Sequence, residues 1–184
     1  MTQTVAVTIA VNGQSITRTA GAHLTLLRWL RDAADITDPK YGCGEGVCGA
    51  CTVLVDGEPT ASCLVLAAQV DGAAVTTAAG LTRADGSLNP LQQEFHAHHA
   101  AQCGFCTPGM LMAATAMLAD GRTRTRAQIR EDLHGNLCRC TGYGPIVDAV
   151  EAAQERARDS SAAHHGPAGN GSARNGSARD GDAR

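Results

Sequence analysis

Large aromatic side chains are scarce in this chain, and so are long apolar runs and clustered positive charges. Aromatic residues make up 3% of the 184 residues and hydrophobic residues 43%, so a core has to be packed from small aliphatic side chains. Because no apolar stretch is long enough to cross a bilayer, we expect no membrane span. The net charge of −3, without a basic stripe of interleaved aromatics, excludes a typical nucleic-acid-binding surface.

Export signals are also missing from the first residues of the sequence. The stretch MTQTVAVTIAVNGQ has no charged leading region, no long apolar run, no cleavage site and no twin-arginine pair. We therefore expect a cytoplasmic protein, in a compartment that keeps thiols reduced. In such a compartment the eight cysteines favour metal ligation over four disulfides.

Cysteine is the residue that this chain does have in abundance, in two sets of four. The first set lies in CGEGVCGACTVLVDGEPTASC and comprises Cys43, Cys48, Cys51 and Cys63. Its C-x4-C-x2-C spacing is the one with which plant-type proteins hold a [2Fe–2S] cluster. Glycines between these cysteines permit positive φ angles, so that backbone N–H groups can turn toward sulfur. Zinc is the alternative, although structural zinc sites favour two closely spaced ligand pairs.

The second set of cysteines falls in the C-terminal half and has a different spacing. Its members are Cys103, Cys106, Cys138 and Cys140. Thr107 and Thr141 follow the two pairs, and we predict that each caps a helix that begins there. Free N–H groups and the helix dipole at such helix starts favour an anionic iron–sulfur cluster. Zinc is again the alternative, and no Rieske-type C-x-H spacing occurs.

Hydrophobic periodicity divides the chain into a sheet-forming half and a helical half. In the first half the predicted elements are strands at 5–11 and 14–19, a helix at 21–35, and strands at 52–55 and 75–77. Asn12-Gly13 and Asp56-Gly57 predict hairpin turns. This order of elements is typical of a small β-grasp ferredoxin domain.

Four helices are predicted in the second half. They begin near Asn89, Thr107, Thr125 and Gly144, and the fourth ends near Asp159. We interpret the nearby Arg122, Arg124, Arg126 and Arg130 as a solvated turn and helix face, with a partner contact as the alternative. The fold class is therefore α+β: a ferredoxin-like domain at 1–80, a linker at 81–88 and a four-helix domain at 89–159. Residues 160–184 have little to bury and are expected to be a disordered tail.

Three motifs, taken together, resemble those of a known family. GCGEGVCGACTVLVDG, QCGFCTPGM and GNLCRCTGY are similar to the iron–sulfur small subunit of the molybdenum hydroxylases, the family of xanthine oxidase, aldehyde oxidase and aerobic carbon monoxide dehydrogenase. The resemblance extends over residues 4–158 and includes all eight cysteines. It implies an electron-transfer subunit with two [2Fe–2S] clusters, the first nearer a flavin and the second nearer a molybdenum-pterin cofactor.

The resemblance also implies partners and residue roles. A large subunit would hold the molybdenum cofactor and a medium subunit would hold FAD, so that the chain works in a hetero-oligomer and performs no substrate chemistry itself. Gln102 would contact the pterin, and Cys140 would approach it and receive the electrons. Single electrons would then pass from the second cluster through the first to FAD. The alternatives are a stand-alone two-cluster ferredoxin, which would need neither Gln102 nor a helical domain, and a zinc-stapled interaction module.

Overall fold

A β-hairpin opens the computed structural model, which describes residues 3–164. Strands β1 (Thr4–Val11) and β2 (Gln14–Gly21) pair antiparallel along their whole length. Asn12 and Gly13 both have positive φ, 50° and 82°, which is the backbone of a type I′ turn and confirms the predicted hairpin. The period-two alternation places Val7, Ile9 and Val11 in the core.

The hairpin belongs to a five-stranded sheet. The other strands are β3 (Thr52–Val55), β4 (Glu58–Ala61) and β5 (Ala74–Thr76). They lie in the order β2-β1-β5-β3-β4, in which only β1 and β5 run parallel. Asp56 and Gly57 join β3 to β4 with positive φ angles, as the sequence predicts. The sheet and the helices that follow it confirm the α+β class.

The predicted helix at 21–35 is wrong in its extent. Gly21 still belongs to β2, because this strand stays paired with β1 as far as Thr4. The helical segment is α1 (Leu26–Arg28), and it continues as a wider π-helical turn over Trp29–Ala33. The Thr25 hydroxyl caps α1 by accepting a hydrogen bond from the Arg28 N–H. The apolar residues of this helical segment nevertheless face the core, as an amphipathic helix predicts. Trp29 and Leu30 are fully buried beneath the sheet.

Four helices form the second half, as predicted. They are α2 (Pro90–Ala97), α3 (Thr107–Ala119), α4 (Arg126–Asp132) and α5 (Gly144–His164). Asn89 and Thr125 begin α2 and α4 with capping boxes, in which each side chain accepts from the N–H three residues later. Helix α5 continues five residues beyond the predicted end near Asp159, and the rest of the predicted tail, 165–184, lies outside the described residues.

The two halves pack directly against each other. Leu54 of β3 is buried in the same apolar cluster as Met110 and Met112 of α3. Within residues 3–164, no helix combines the length and apolar character needed to cross a membrane. Because the halves share a core, the two cysteine sets are held in a fixed relation rather than joined only through the connecting segment.

Arg124 corrects the interpretation of the arginines as a solvated surface. Its side chain is only 9% exposed and forms ion pairs with Asp120 and Asp132. It also donates to the Met117 carbonyl oxygen at 2.8 Å. The Arg124 backbone exchanges hydrogen bonds with the Gln154 side chain of α5. Arg124 therefore fastens the ends of α3 and α4 to α5. By contrast, Arg126 is half exposed and pairs with acids of α5.

Candidate metal centres

Three cysteines of the first set, Cys43, Cys48 and Cys51, lie in a loop between the α1 segment and β3, and the fourth, Cys63, follows β4. Gly44, Gly46 and Gly49 have φ angles of 75°, 75° and 64°, which side chains with a Cβ rarely adopt. The resulting turns bring the N–H groups of Glu45 and Cys48 to 3.4 Å from the Cys43 sulfur. The Cys43 N–H in turn lies 3.4 Å from the Cys48 sulfur. Backbone donors thus converge on sulfur, as the glycine pattern predicts.

The four sulfurs of this first site fall into two pairs. Cys43 pairs with Cys48 near the surface, whereas Cys51 and Cys63 form a hydrogen-bonded pair that is buried. N–H donation, first from Glu45 and then from Cys48, lowers the pKa of Cys43 to about 6. Burial raises the pKa of Cys63 to about 11. Cys43 is therefore ready to ionise at neutral pH. A metal that binds Cys63 would have to displace its proton.

The second site is assembled from two segments more than thirty residues apart. The sulfurs of Cys103 and Cys140 lie 3.5 Å apart and both residues are exposed. Cys106 and Cys138 form the other hydrogen-bonded pair. Burial raises the pKa of Cys106 to about 12, whereas donation from the Phe105 N–H lowers the pKa of Cys103. The second site therefore also contains thiols whose pKa values are shifted in opposite directions.

The predicted threonine caps are wrong. Helix α3 already includes Thr107, and Cys106 occupies its cap position without a side-chain hydrogen bond. Within the described residues, the buried Thr107 hydroxyl has no hydrogen-bond partner. Thr141 lies three residues before α5, and its hydroxyl is 3.1 Å from the Cys138 sulfur while accepting from the Tyr143 N–H. Thr141 therefore hydrogen-bonds the Cys138 sulfur instead of capping a helix. When Cys138 is ionised, the Thr141 hydroxyl must be the hydrogen-bond donor.

The pairing of the sulfurs fits a two-iron cluster. In a [2Fe–2S] cluster with four thiolates, each iron takes two of them. Each set here offers two touching pairs, Cys43 with Cys48 and Cys51 with Cys63 in the first, Cys103 with Cys140 and Cys106 with Cys138 in the second. Between residues 3 and 164, no three His, Cys, Asp or Glu side chains gather around one point that would hold a single metal ion.

The two sites are joined by a contact that sequence reasoning missed. The Leu137 N–H, next to Cys138, donates to the Cys48 carbonyl oxygen at 2.9 Å. Asn136 is 6% exposed, and its side-chain amide donates to the Gly49 carbonyl oxygen at 2.9 Å. The sequence marks Asn136 and Leu137 in one way only, because they stand in GNLCRCTGY directly before the cysteine pair. The cysteine-bearing loops of the two halves therefore contact each other directly.

Gln102 lies at the surface beside the exposed pair of the second site. It is exposed and directly precedes Cys103, whose sulfur is in contact with that of Cys140. Cys51 and Cys63 of the first site are buried by comparison. The more accessible sulfur pair is thus in the helical half, and Gln102 is adjacent to it.

Two protein-domain families match successive parts of the chain. A family described as "2Fe-2S iron-sulfur cluster binding domain" matches residues 9–81, and one described as "[2Fe-2S] binding domain" matches residues 77–151. Both descriptions name two-iron clusters, which favours iron over zinc at each cysteine set. The two matches meet at 77–81, where a 3-10 turn over Ala78–Leu81 follows the last strand.

Individual relatives cover most of the chain. The small subunit of nicotine 6-hydroxylase from Paenarthrobacter nicotinovorans is 50% identical over 146 residues, which is 79% of this chain and 87% of the relative. Subunit gamma of caffeine dehydrogenase from a Pseudomonas species (strain CBB1) is 46% identical over 149 residues, 79% of this chain and 89% of the relative. A crystal structure of quinoline 2-oxidoreductase from Pseudomonas putida 86 superposes with a TM-score of 0.81 at 43% identity, over 85% of this chain and 98% of that one.

Proposed function

Because the chain belongs to the family of iron–sulfur small subunits of molybdenum hydroxylases, we propose that it is the subunit that carries electrons between the active sites of its partners. A large subunit would contribute a molybdenum-pterin cofactor and a medium subunit would contribute FAD. When bound, the two [2Fe–2S] clusters supply one-electron acceptors that divide a two-electron oxidation into single steps. The chain's own residues hold those clusters, set their surroundings and fix their separation.

The observation that carries this proposal is the contact between the two sites. The Leu137 N–H donates to the Cys48 carbonyl oxygen at 2.9 Å. This hydrogen bond connects Cys48 of the first set to Leu137, which directly precedes Cys138 of the second set. A carrier with two independent sites would not need such a contact. A relay needs both sites on one rigid support, and the shared core around Leu54 and Met110 provides it.

Accessibility supports a direction for the relay. Cys103 and Cys140 are exposed, so we assign electron entry from the molybdenum cofactor to this pair, with Gln102 as the contact to the pterin. Around the first site, Val47 and Leu64 are each 60% exposed. Such exposed apolar side chains fit a surface that a partner protein covers, and we assign this side to the FAD subunit.

The thiols support a cellular location. All eight cysteines lie within the described residues and none forms a disulfide. Cysteines that serve as iron–sulfur ligands rather than in disulfides are typical of compartments that keep thiols reduced, so we assign the complex to the cytoplasm. The complex would be a hetero-oligomer of large, medium and small subunits.

The proposal is tested by isolating the chain from its own cell under anaerobic conditions. We expect it to co-purify with two larger subunits, one containing molybdenum and one containing FAD, each in a fixed ratio to this chain. Recovery of the iron-loaded chain alone, free of both cofactors, would instead indicate a stand-alone ferredoxin.

A variant tests the order of electron flow within that complex. Cys140→Ser removes one thiolate of the exposed pair, so we expect the second cluster to be lost or damaged and the first to stay oxidised when substrate is added. Optical and EPR spectra after substrate addition measure this. Arg139→Ser, at the exposed position between Cys138 and Cys140, is the matched control and should leave both clusters reducible. Normal substrate reduction of the first cluster in the Cys140 variant would contradict the assigned order.

A further inference from the structure

The Tyr143 hydroxyl bridges the two ends of the segment that reaches the first site. It accepts a hydrogen bond from the Cys138 N–H at 3.0 Å and donates to the Asn136 carbonyl oxygen at 3.1 Å. Tyr143 itself has a φ of 68°, a left-handed conformation that non-glycine residues adopt at an energetic cost. The hydroxyl therefore closes the turn from Asn136 to Cys138 from one side and holds the Leu137 N–H between them.

Asn136 fastens the same segment to the first site from the other side. Its amide nitrogen donates to the Gly49 carbonyl oxygen at 2.9 Å and lies 3.3 Å from the Thr52 hydroxyl oxygen. Thr52 in turn donates to the Gly49 carbonyl oxygen at 2.8 Å. All three residues are buried, so these hydrogen bonds are shielded from water and costly to lose.

Close backbone packing leaves this joint no room to shift. A Cβ at Gly49 would collide with the Gly135 carbonyl oxygen, and a Cβ at Gly109 would collide with the Gly49 carbonyl oxygen. Three backbone segments, from the first loop, from helix α3 and from the loop before Cys138, therefore meet at van der Waals distance. Within this close contact, the directed hydrogen bonds of Asn136 and Tyr143 determine which backbone groups face each other.

We propose that Asn136 and Tyr143 are positioning residues that set the magnetic and electronic coupling between the two metal centres. They act through the Leu137–Cys48 hydrogen bond, which they hold closed from both sides, and neither residue is a metal ligand. The inference rests on the proposed function in that both sites must carry their clusters. The inference goes beyond the proposed function because it assigns the spacing of the two metal centres to the side chains of Asn136 and Tyr143.

The test uses the full chain with its clusters, purified anaerobically and reduced with dithionite, without partner subunits. The variants are Tyr143→Phe and Asn136→Ala, and Tyr41→Phe is the matched control because its exposed ring lies beside the other cysteine loop. Iron per chain is measured first. Low-temperature EPR then measures the spin–spin interaction of the two reduced centres, and hydrogen exchange measures protection of the segment that contains the Leu137 amide.

We expect both variants to keep the iron content of the parent chain while the spin–spin splitting weakens and exchange at Leu137 becomes at least tenfold faster. Tyr41→Phe should change none of these quantities. Unchanged splitting and exchange in both variants would overturn the proposal. Loss of iron from the second site in both would also overturn it, since the residues would then build the site rather than space it. A parent chain without iron would contradict the proposed function instead, which is a separate result.

Discussion

The two cysteine sites reach a similar four-sulfur arrangement by different structural means. The first takes three cysteines from one loop, whose left-handed glycines direct main-chain N–H groups at Cys43, and its buried pair is completed by Cys63 just after β4. The second is assembled from two distant segments, one at the start of α3 and one in the loop before α5, with Thr141 as a side-chain donor to Cys138 and an exposed pair. The first site therefore depends on local backbone geometry, and the second depends on the packing of the helices that carry it.

Removing one thiolate from each site gives the largest expected difference. Cys51 is 2% exposed and packs beside Leu27, so Cys51→Ser should remove the first cluster and also lower the melting temperature of the sheet half. Cys103→Ser alters an exposed residue and should remove only the second cluster. Iron analysis measures cluster loss, and circular dichroism measures melting. Loss of all iron in Cys103→Ser would show that the first site is not self-sufficient.

Crowding the joint between the halves should have the next largest effect. Because a Cβ at Gly109 would overlap the Gly49 carbonyl oxygen, Gly109→Ala should lower the free energy of unfolding by about 1–3 kcal/mol, the usual cost of overpacking. Gly135→Ala is the control, since a Cβ there meets no atom within 4 Å. Denaturant titration measures both. Equal stabilities of the two variants would mean that the halves do not pack as closely as described.

Loosening the helices should have a smaller effect that is confined to the second site. Arg124→Met removes hydrogen bonds to Asp120, Asp132 and the Met117 carbonyl oxygen, so we expect the helical half to melt roughly 5 °C lower. Arg130→Met on α4 is the control, because Arg130 is exposed and forms no ion pair among residues 3–164.

Iron release followed by absorbance should report the same difference between the sites. We expect the second cluster of Arg124→Met to be lost faster on warming, while the first is released at the rate of the parent chain. Faster release from the first site alone would contradict the dependence of the second site on helix packing.

Local patterns were sufficient to predict much of this molecule. The alternation in β1, the turn at Asn12-Gly13 and the helix starts at Asn89 and Thr125 depend on neighbours within a few positions, and each formed as predicted. The contacts among the cysteines are local only in part, since Cys43 and Cys48 lie five positions apart whereas the contact of Cys103 with Cys140 spans 37.

What the sequence did not predict depends on contacts between distant residues. Helix 21–35 was overextended because the pairing of Gly21 with Thr4 outweighed the apolar spacing of its leucines. Arg124 was assigned to solvent although its ion-pair partners Asp120 and Asp132 are near in sequence, because its burial depends on α5, where Gln154 bonds its backbone from 30 positions away. The amide of Asn136 reaches Gly49 across 87 positions, so the motif that contains Asn136 could not indicate this partner.

The identity of the bound metal tests the central claim most directly. The claim is that each four-cysteine site holds one [2Fe–2S] cluster, as the two matched domain families describe. Iron, zinc and acid-labile sulfide should be measured on the full chain purified anaerobically from its own cell, followed by EPR after dithionite reduction. We expect two irons and two sulfides per site, hence four of each per chain, and two distinguishable EPR signals. A chain that contained stoichiometric zinc, or no sulfide, would contradict the account.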